Sequence, residues 1–485
     1  MLPGLHLDLQ SERPLYRQIA DQLKVAIESG QLAGGHRLPP IRELAGSLNL
    51  NRNTVAAAYE WLQEEGLVYQ QVGKGTFVRG DATGRLDWEQ VLSSPATTGS
   101  ITAEPAALSF ASSRPAEDLF PMEAFRATCR EVIDSPEVAG ILQLGSALGY
   151  PPLRRYLFEQ ARAKDLAGAD DDILITSGCQ QALDLLQRVL AAEGEAVLIE
   201  DPVYPGLRNI FQNGRARVFG LPVDSHGWDL NALAGLIERE RPRLLVVTPN
   251  FQNPTGLTMA EPARRALLDA ARRHQIIVVE NNLYSELRYT GARQPALKEL
   301  SADTVLLESF SKIAFPGLRV GWVIAPRPLV SRLAEAKQMC DLHSDQLSQA
   351  VLLRFAESGR LAAHLTQVLS EGRARLQATL DACEELLPAG TWFTRPEGGM
   401  NIWVRLPSGI DTEALLPRAL EAGVSYLPGR YFAVTRADHR ALRLSFAGLE
   451  PAEIRQGLGI LGRLVREEME RGRGRMWQEP TPALV

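Results

Sequence analysis

Six short apolar runs constrain the fold of this chain more than any other feature: ILIT at 173–176, AVLIE at 196–200, LLVVT at 244–248, IIVVE at 276–280, TVLLES at 304–309 and RVGWVIA at 319–325. Each is too short for a helix and rich in Val, Ile and Leu, the pattern of a strand buried on both faces. Between them lie stretches with apolar residues at helical spacing, such as CQQALDLLQRVLAAEG from residue 179. Strands alternating with helices give a mainly parallel sheet covered by helices, so the expected class is α/β.

A length of 485 residues suggests more than one such core. Apolar residues at 45% and charged residues at 23% are enough to fill and solvate them. The net charge of −6 excludes a chain that is basic throughout, so any nucleic-acid surface must be local. Cysteines occur only at 129, 179, 340 and 383, without a CxxC pair, so neither a disulfide framework nor a metal site is expected. There is no basic-then-apolar leader at the N-terminus and no apolar stretch near 18 residues, and a cytoplasmic protein without membrane contact is expected.

Residues 81–107, DATGRLDWEQVLSSPATTGSITAEPAA, lack apolar periodicity and read as a linker between a head, 1–80, and a body, 108–470. The final stretch RGRGRMWQEPTPALV, 471–485, reads as a loose tail.

In the head, Leu15, Ile19, Leu23 and Ile27 recur every four residues and predict a helix that Gly30 ends. Pro39 and Pro40 open a second helix, IRELAGSLN, and Asn51 can cap a third, RNTVAAAYEWLQEE, that stops at Gly66. LVYQQ, VGKG and TFVR follow as strand, turn and strand, completing a winged helix-turn-helix. Arg52, Asn53 and Thr54 begin the third helix, the end of a recognition helix that meets DNA, while Arg42 and Lys74 can position phosphates and the Asn53 amide can read a base. The eight Lys/Arg and eight Asp/Glu of residues 1–80 cancel, so charge alone leaves a solvated surface equally open.

The stretch from PLYRQIA to GKGTFV, with its LP…RELA and RNTV segments, resembles the GntR-type winged helix along its full length. The resemblance implies a double-stranded DNA operator as partner, contacted by Arg42, Arg52 and the wing at Gly73, Lys74 and Gly75. An arginine frequent on that family's recognition helix is replaced by Ala56, which leaves base preference open.

In the body, SFSKIAFPGLRVGW (309–322) follows a buried strand and places Lys312 among Ser309, Ser311 and Arg319. Hydroxyls and a guanidinium at a strand end can hold a phosphate dianion, and a desolvated lysine beside it can attack an aldehyde as a Schiff base with pyridoxal phosphate requires. TSGCQQAL puts Ser177, Gly178, Cys179 and Gln180 at a strand-to-helix junction suited to phosphate. Tyr204 in EDPVYPG offers a flat face, Asn253 in NFQNPTG an amide donor, and Asn281 and Tyr284 end the IIVVE run. Arg443 in LRLSFAG suits a bidentate carboxylate contact or a surface ion pair.

In this order, these motifs resemble the fold type I aminotransferases over roughly residues 108 to 465. The resemblance implies a large mainly parallel sheet domain and a smaller C-terminal α+β domain, with pyridoxal 5′-phosphate as cofactor and Lys312 as its Schiff-base lysine. Tyr204 would stack on the ring, Asn281 would meet its pyridine nitrogen, and Asn253 and Tyr284 its phenolic oxygen. Ser177, Gly178, Cys179, Ser309, Ser311 and Arg319 would hold the phosphate, and Arg443 the carboxylate of an amino acid.

A GntR-type head on an aminotransferase-like body is similar to the MocR-type transcriptional regulators, which implies a homodimer that senses pyridoxal phosphate or an amino compound. Two departures weigh on catalysis. Asn281 stands where aminotransferases carry an aspartate that keeps the pyridine nitrogen protonated, and Leu144 stands where they often carry a tyrosine that reaches the partner's phosphate. Both favour a sensor over the alternative, a working aminotransferase with a DNA-binding head.

Overall fold

The computed structural model describes residues 4–71, 74–79 and 106–476, with side chains to residue 471. Gly73 of the expected wing and nearly all of the expected linker lie outside the described residues. The chain divides into two compact units, Met1–Thr98 and Gly99–Val485.

The first unit packs α1 (Leu15–Glu28), α2 (Ile41–Leu48) and α3 (Arg52–Glu64) beside an antiparallel ribbon of β1 (Val68–Gln71) and β2 (Gly75–Val78). Ile19, Leu23 and Ile27 of the α1 stripe are buried with Leu44, Val55 and Leu62. Asn49 ends α2 in the left-handed region at φ 56°, which asparagine tolerates better than most residues. Asn51 caps α3 by accepting the Asn53 N–H at 2.9 Å, so the sharp turn between the two helices is held from both sides.

In the second unit, β3 (Leu108–Ser109) opens the described chain and pairs in parallel with β14 (Val424–Ser425). The main sheet contains β4 (Asp171–Thr176), β5 (Ala196–Asp201), β6 (Arg217–Asp224), β7 (Gly227–Trp228), β8 (Leu244–Val247), β9 (Ile277–Asn281), β10 (Val305–Ser309) and β11 (Gly321–Pro326). Its order is β4-β11-β10-β9-β8-β5-β6-β7. The six apolar runs all fall in it. The strands from β10 through β9, β8 and β5 to β6 pair in parallel, whereas β11 runs antiparallel to both neighbours. That inversion sets Gly321 opposite Ser309, so the residues entering β11 arrive at the same edge of the sheet as those leaving β10.

A smaller antiparallel sheet follows, ordered β12-β13-β16-β15 from Trp392–Phe393, Asn401–Arg405, Ala441–Ser445 and Leu427–Pro428. The helix Arg360–Leu386 leads from the region of the large sheet into this part. The last helix, Pro451–Met476, packs along it and overturns part of the expected tail. Its apolar residues Ile454, Leu458, Leu461 and Val465 sit in the same core as Leu376 and Cys383, and such anchoring carries a helix past the point where its own pattern fades.

Candidate functional site

Eleven of the expected body residues, Cys179, Gln180, Tyr204, Asn253, Asn281, Tyr284, Ser309, Ser311, Lys312, Arg319 and Arg443, line one cavity of about 410 Å³. It lies at the C-terminal edge of the parallel strands, where open α/β sheets bind ligands. β9 delivers Asn281 and β10 delivers Ser309, and a single helical turn, Phe310–Lys312, then carries the lysine.

Around the lysine, the Ser309 hydroxyl donates to the Ser311 hydroxyl at 2.8 Å and accepts the Ser311 N–H at 3.0 Å. Arg319 reaches Ser311 Oγ at 3.5 Å and the Ser177 carbonyl at 3.2 Å. Gly178, at φ +79°, closes against this guanidinium, where an added Cβ would lie 2.5 Å from Arg319 Nη2. Cys179 starts the helix Cys179–Leu190; burial pushes its thiol up to about 12, so it stays protonated. Ser177 and Gly178 back this cradle rather than line the cavity. The Ser177 N–H donates to Gln181 Oε1 at 2.7 Å and its hydroxyl lies 3.2 Å from that of Ser344.

Lys312 Nζ donates to the Ser113 carbonyl at 2.6 Å and sits 5.5 Å from the centre of the Tyr284 ring. Asn253 Nδ2 donates to the Tyr284 hydroxyl at 3.4 Å. Asn281 Nδ2 donates to Thr248 Oγ1 at 3.4 Å, while Asn281 Oδ1, buried, has no partner. Tyr204 caps the helix Pro205–Asn213 with its ring across Gly206, where a Cβ would fall 2.4 Å from the ring.

Arg443 is no surface ion pair. It is buried at the centre of β16, donates to the Ala111 carbonyl and to Asn253 Oδ1, and leaves Nε unpartnered. Burial brings its pKa down to about 10, and the nearby groups that act against this are the phenols Tyr284 and Tyr204. The Arg443 guanidinium, buried with no carboxylate bonded to it and with Nε unpartnered, keeps capacity for a further acceptor.

In the head, Arg42, Arg52, Asn53, Lys74 and Gly75 are exposed and Thr54 is half-buried. Gly75 has φ +119°, and a Cβ there would lie 3.0 Å from Arg37 Nε. Arg37 thus runs beside the wing, a further cation near Lys74 and Gly75 that the sequence pattern did not single out; its backbone bridges to Phe77. In the body, Ser113 and Thr248 were likewise missed. Leu144 is 74% exposed and is absent from the cavity lining.

The chain matches the family described as aminotransferase class I and II over residues 116–461, and bacterial regulatory proteins of the gntR family over residues 15–78. It is 38% identical over 372 residues to the 2-aminoadipate transaminase of Thermus thermophilus, a match covering 76% of this chain and 92% of that protein. It is 29% identical over 474 residues to the probable rhizopine catabolism regulatory protein MocR of Rhizobium meliloti, with 94% and 95% covered. Among solved structures, the alpha-aminoadipate aminotransferase of Thermus thermophilus complexed with N-(5′-phosphopyridoxyl)-L-leucine superposes with a TM-score of 0.70 at 37% identity, covering 75% of this chain and 93% of that one.

The residues present fit pyridoxal 5′-phosphate. A primary amine stands beside a hydroxyl-and-guanidinium cradle that glycine alone can back, and a buried amide oxygen and a buried guanidinium nitrogen lack partners in the same cavity. A body of the class I and II aminotransferase family, to which this chain belongs, joined to a GntR-type winged helix makes the protein a pyridoxal-phosphate-dependent DNA-binding regulator of the MocR type.

Proposed function

We propose that the body senses an amino compound, or pyridoxal phosphate itself, and passes its occupancy to the DNA-binding head, in a homodimer whose two heads meet paired half-sites. The observation that carries this reading is Arg443, buried without an acid partner in the cavity that holds Lys312. When bound, the cofactor supplies an aldehyde for amines and a ring that can take up electron density.

In this reading Lys312 holds the cofactor covalently, Tyr204 covers its ring, and Asn253 and Tyr284 face the phenolic oxygen. Arg319, Ser309, Ser311 and Cys179, with Ser177 and Gly178 behind them, hold the phosphate. Arg443 takes the carboxylate of the amino compound, and Asn281 faces the pyridine nitrogen as a neutral partner. Arg42, Arg52 and Lys74, with the wing glycines Gly73 and Gly75, position DNA, while Asn53 and Thr54 face its bases. Among the described residues no helix is long and apolar enough to cross a membrane. The second reading, a working aminotransferase, is supported by Lys312 and Arg443 sharing one cavity, and Asn281 weighs against it.

A mobility-shift titration on the protein's own upstream DNA, with and without an amino-acid panel, alongside a turnover assay, tests the choice. The expected result is specific DNA binding whose affinity changes with an amino compound, and slow turnover. Fast turnover with ligand-indifferent DNA binding would favour the enzyme. In the same titration Arg52→Ala weakens binding to matched and scrambled duplexes alike and lowers the salt slope by about one unit for each phosphate no longer neutralised. Asn53→Ala costs about 1–3 kcal/mol at the preferred site only. Unchanged binding by both variants would remove α3 from the interface.

A further inference from the structure

Behind the ends of β9 and β10 lies a second cavity, of about 290 Å³, at the small end of the roughly 300–1,000 Å³ range of small-molecule pockets. It is separate from the Lys312 cavity because successive residues of a strand point to opposite faces. Asn281 lines the first cavity and Asn282 the second; Glu308 lines only the second, and Ser309 borders both.

We propose that this cavity is a binding site for a small organic cation with an apolar body, distinct from the Lys312 site and independent of the sensor reading above. At its base the half-buried Glu308 carboxylate accepts from Asn282 Nδ2 at 3.2 Å and from Trp322 Nε1 at 3.1 Å. A carboxylate offers about four acceptor positions, so an ammonium still finds room there. The ionisable side chains of the lining are Glu308, Glu286 and Lys164, and Lys164 is already bonded to Glu286 at 2.8 Å, which leaves Glu308 as the group open to a ligand. A cation is therefore favoured over an anion. Tyr156, Phe310 and Trp322 supply aromatic surface, and Leu361 and Leu365 the apolar wall. Burial raises the Glu308 carboxyl above its ordinary range, a cost that a bound ammonium would offset.

The site has a route to the rest of the body. Phe310 and Ile313 flank Lys312, and Leu361 and Leu365 belong to the first turns of the long helix Arg360–Leu386. Filling the cavity thus bears on the turn that carries Lys312 and on the helix leading to the smaller sheet.

The test is calorimetric titration of the cofactor-loaded full chain with N,N-dimethylphenethylamine, a tertiary amine that cannot form an imine, and with 3-phenylpropionate as its anionic counterpart. The amine is expected to bind saturably, and at least about tenfold more tightly than the acid. Glu308→Gln should weaken amine binding at least about tenfold while the visible band of lysine-bound cofactor keeps its intensity. Ala362→Trp, at an exposed position on the rim, should block binding and remains decisive should Glu308→Gln fail to fold. Absent binding, equal binding of amine and acid, or amine binding unchanged in either folded variant would overturn the proposal. Loss of the visible band in the unsubstituted protein would count against the Lys312 reading instead.

Discussion

Lys312→Ala abolishes the visible absorption band of lysine-bound cofactor and leaves the fold intact. Among the described residues the fully buried lysines are Lys298 and Lys337, and each is committed elsewhere: Lys298 to Asp171 at 2.9 Å and Lys337 to Asp341 at 2.7 Å. Lys312 is the lysine that lines the cavity, beside the Arg319 cradle. Its removal deletes one hydrogen bond to a backbone carbonyl, worth about 1 kcal/mol, from a half-buried position, so thermal unfolding should shift little. Absorption spectra of the purified variant, before and after mixing with a free amine, give the reading. A variant that kept the same band and released no aldehyde to the amine would mean that the lysine is misassigned.

Asn281→Asp accelerates conversion of bound cofactor to its amine form by about 100-fold, the lower end of the roughly 10²–10³ that a single preorganised electrostatic contact supplies. The wild-type amide is neutral and leaves Oδ1 without a partner, so it can accept a hydrogen bond from a ring nitrogen but does not hold a proton there by charge. A carboxylate at this position would. The same substitution puts an unpaired acid among buried groups, so the variant should be less stable than wild type without cofactor and should gain more thermal stability when cofactor is added. Single-turnover spectroscopy with an amino-acid panel, paired with melting curves at several cofactor concentrations, separates the two effects. Because Leu144 remains and the surrounding groups are not arranged around an ion, a faster half-reaction rather than a full enzyme is expected. Rapid multiple turnover by the wild type, or a slower half-reaction in the variant, would overturn the sensor reading.

Six of the eight strands of the large sheet were legible because each is a compact run of Val, Ile and Leu, whereas β6 and β7 carry no such run and were not read. The direction of β11 was not, since RVGWVIA looks the same whichever way it is threaded. The smaller sheet is built partly from two-residue strands, too short to leave a period in the sequence. Candidate site residues were found where chemistry concentrates in a short motif, as around Lys312 and Asn253. Ser113 acts through its carbonyl on a lysine 199 residues away, and nothing in its side chain announces that. Thr248 ends an ordinary-looking β run, and its value lies in standing next to Asn281. Arg37 matters through its contact with the glycine of the wing, a packing relation rather than a pattern.

The alternation at the ends of β9 and β10 also bears on how this body can change over time. Asn281 and Asn282 are neighbours in sequence that serve different cavities, and Glu308 serves the second alone while its neighbour Ser309 borders both. Substitution can therefore retune one cavity while leaving the other alone. Insertion or deletion of a single residue in either strand cannot, because it would exchange the two faces and bring the Glu308 carboxylate to the cradle of hydroxyls and arginine. Length variation among related chains should accordingly be excluded from these two strands and collect in the loops before them, while the residue types at Asn281, Asn282 and Glu308 drift independently.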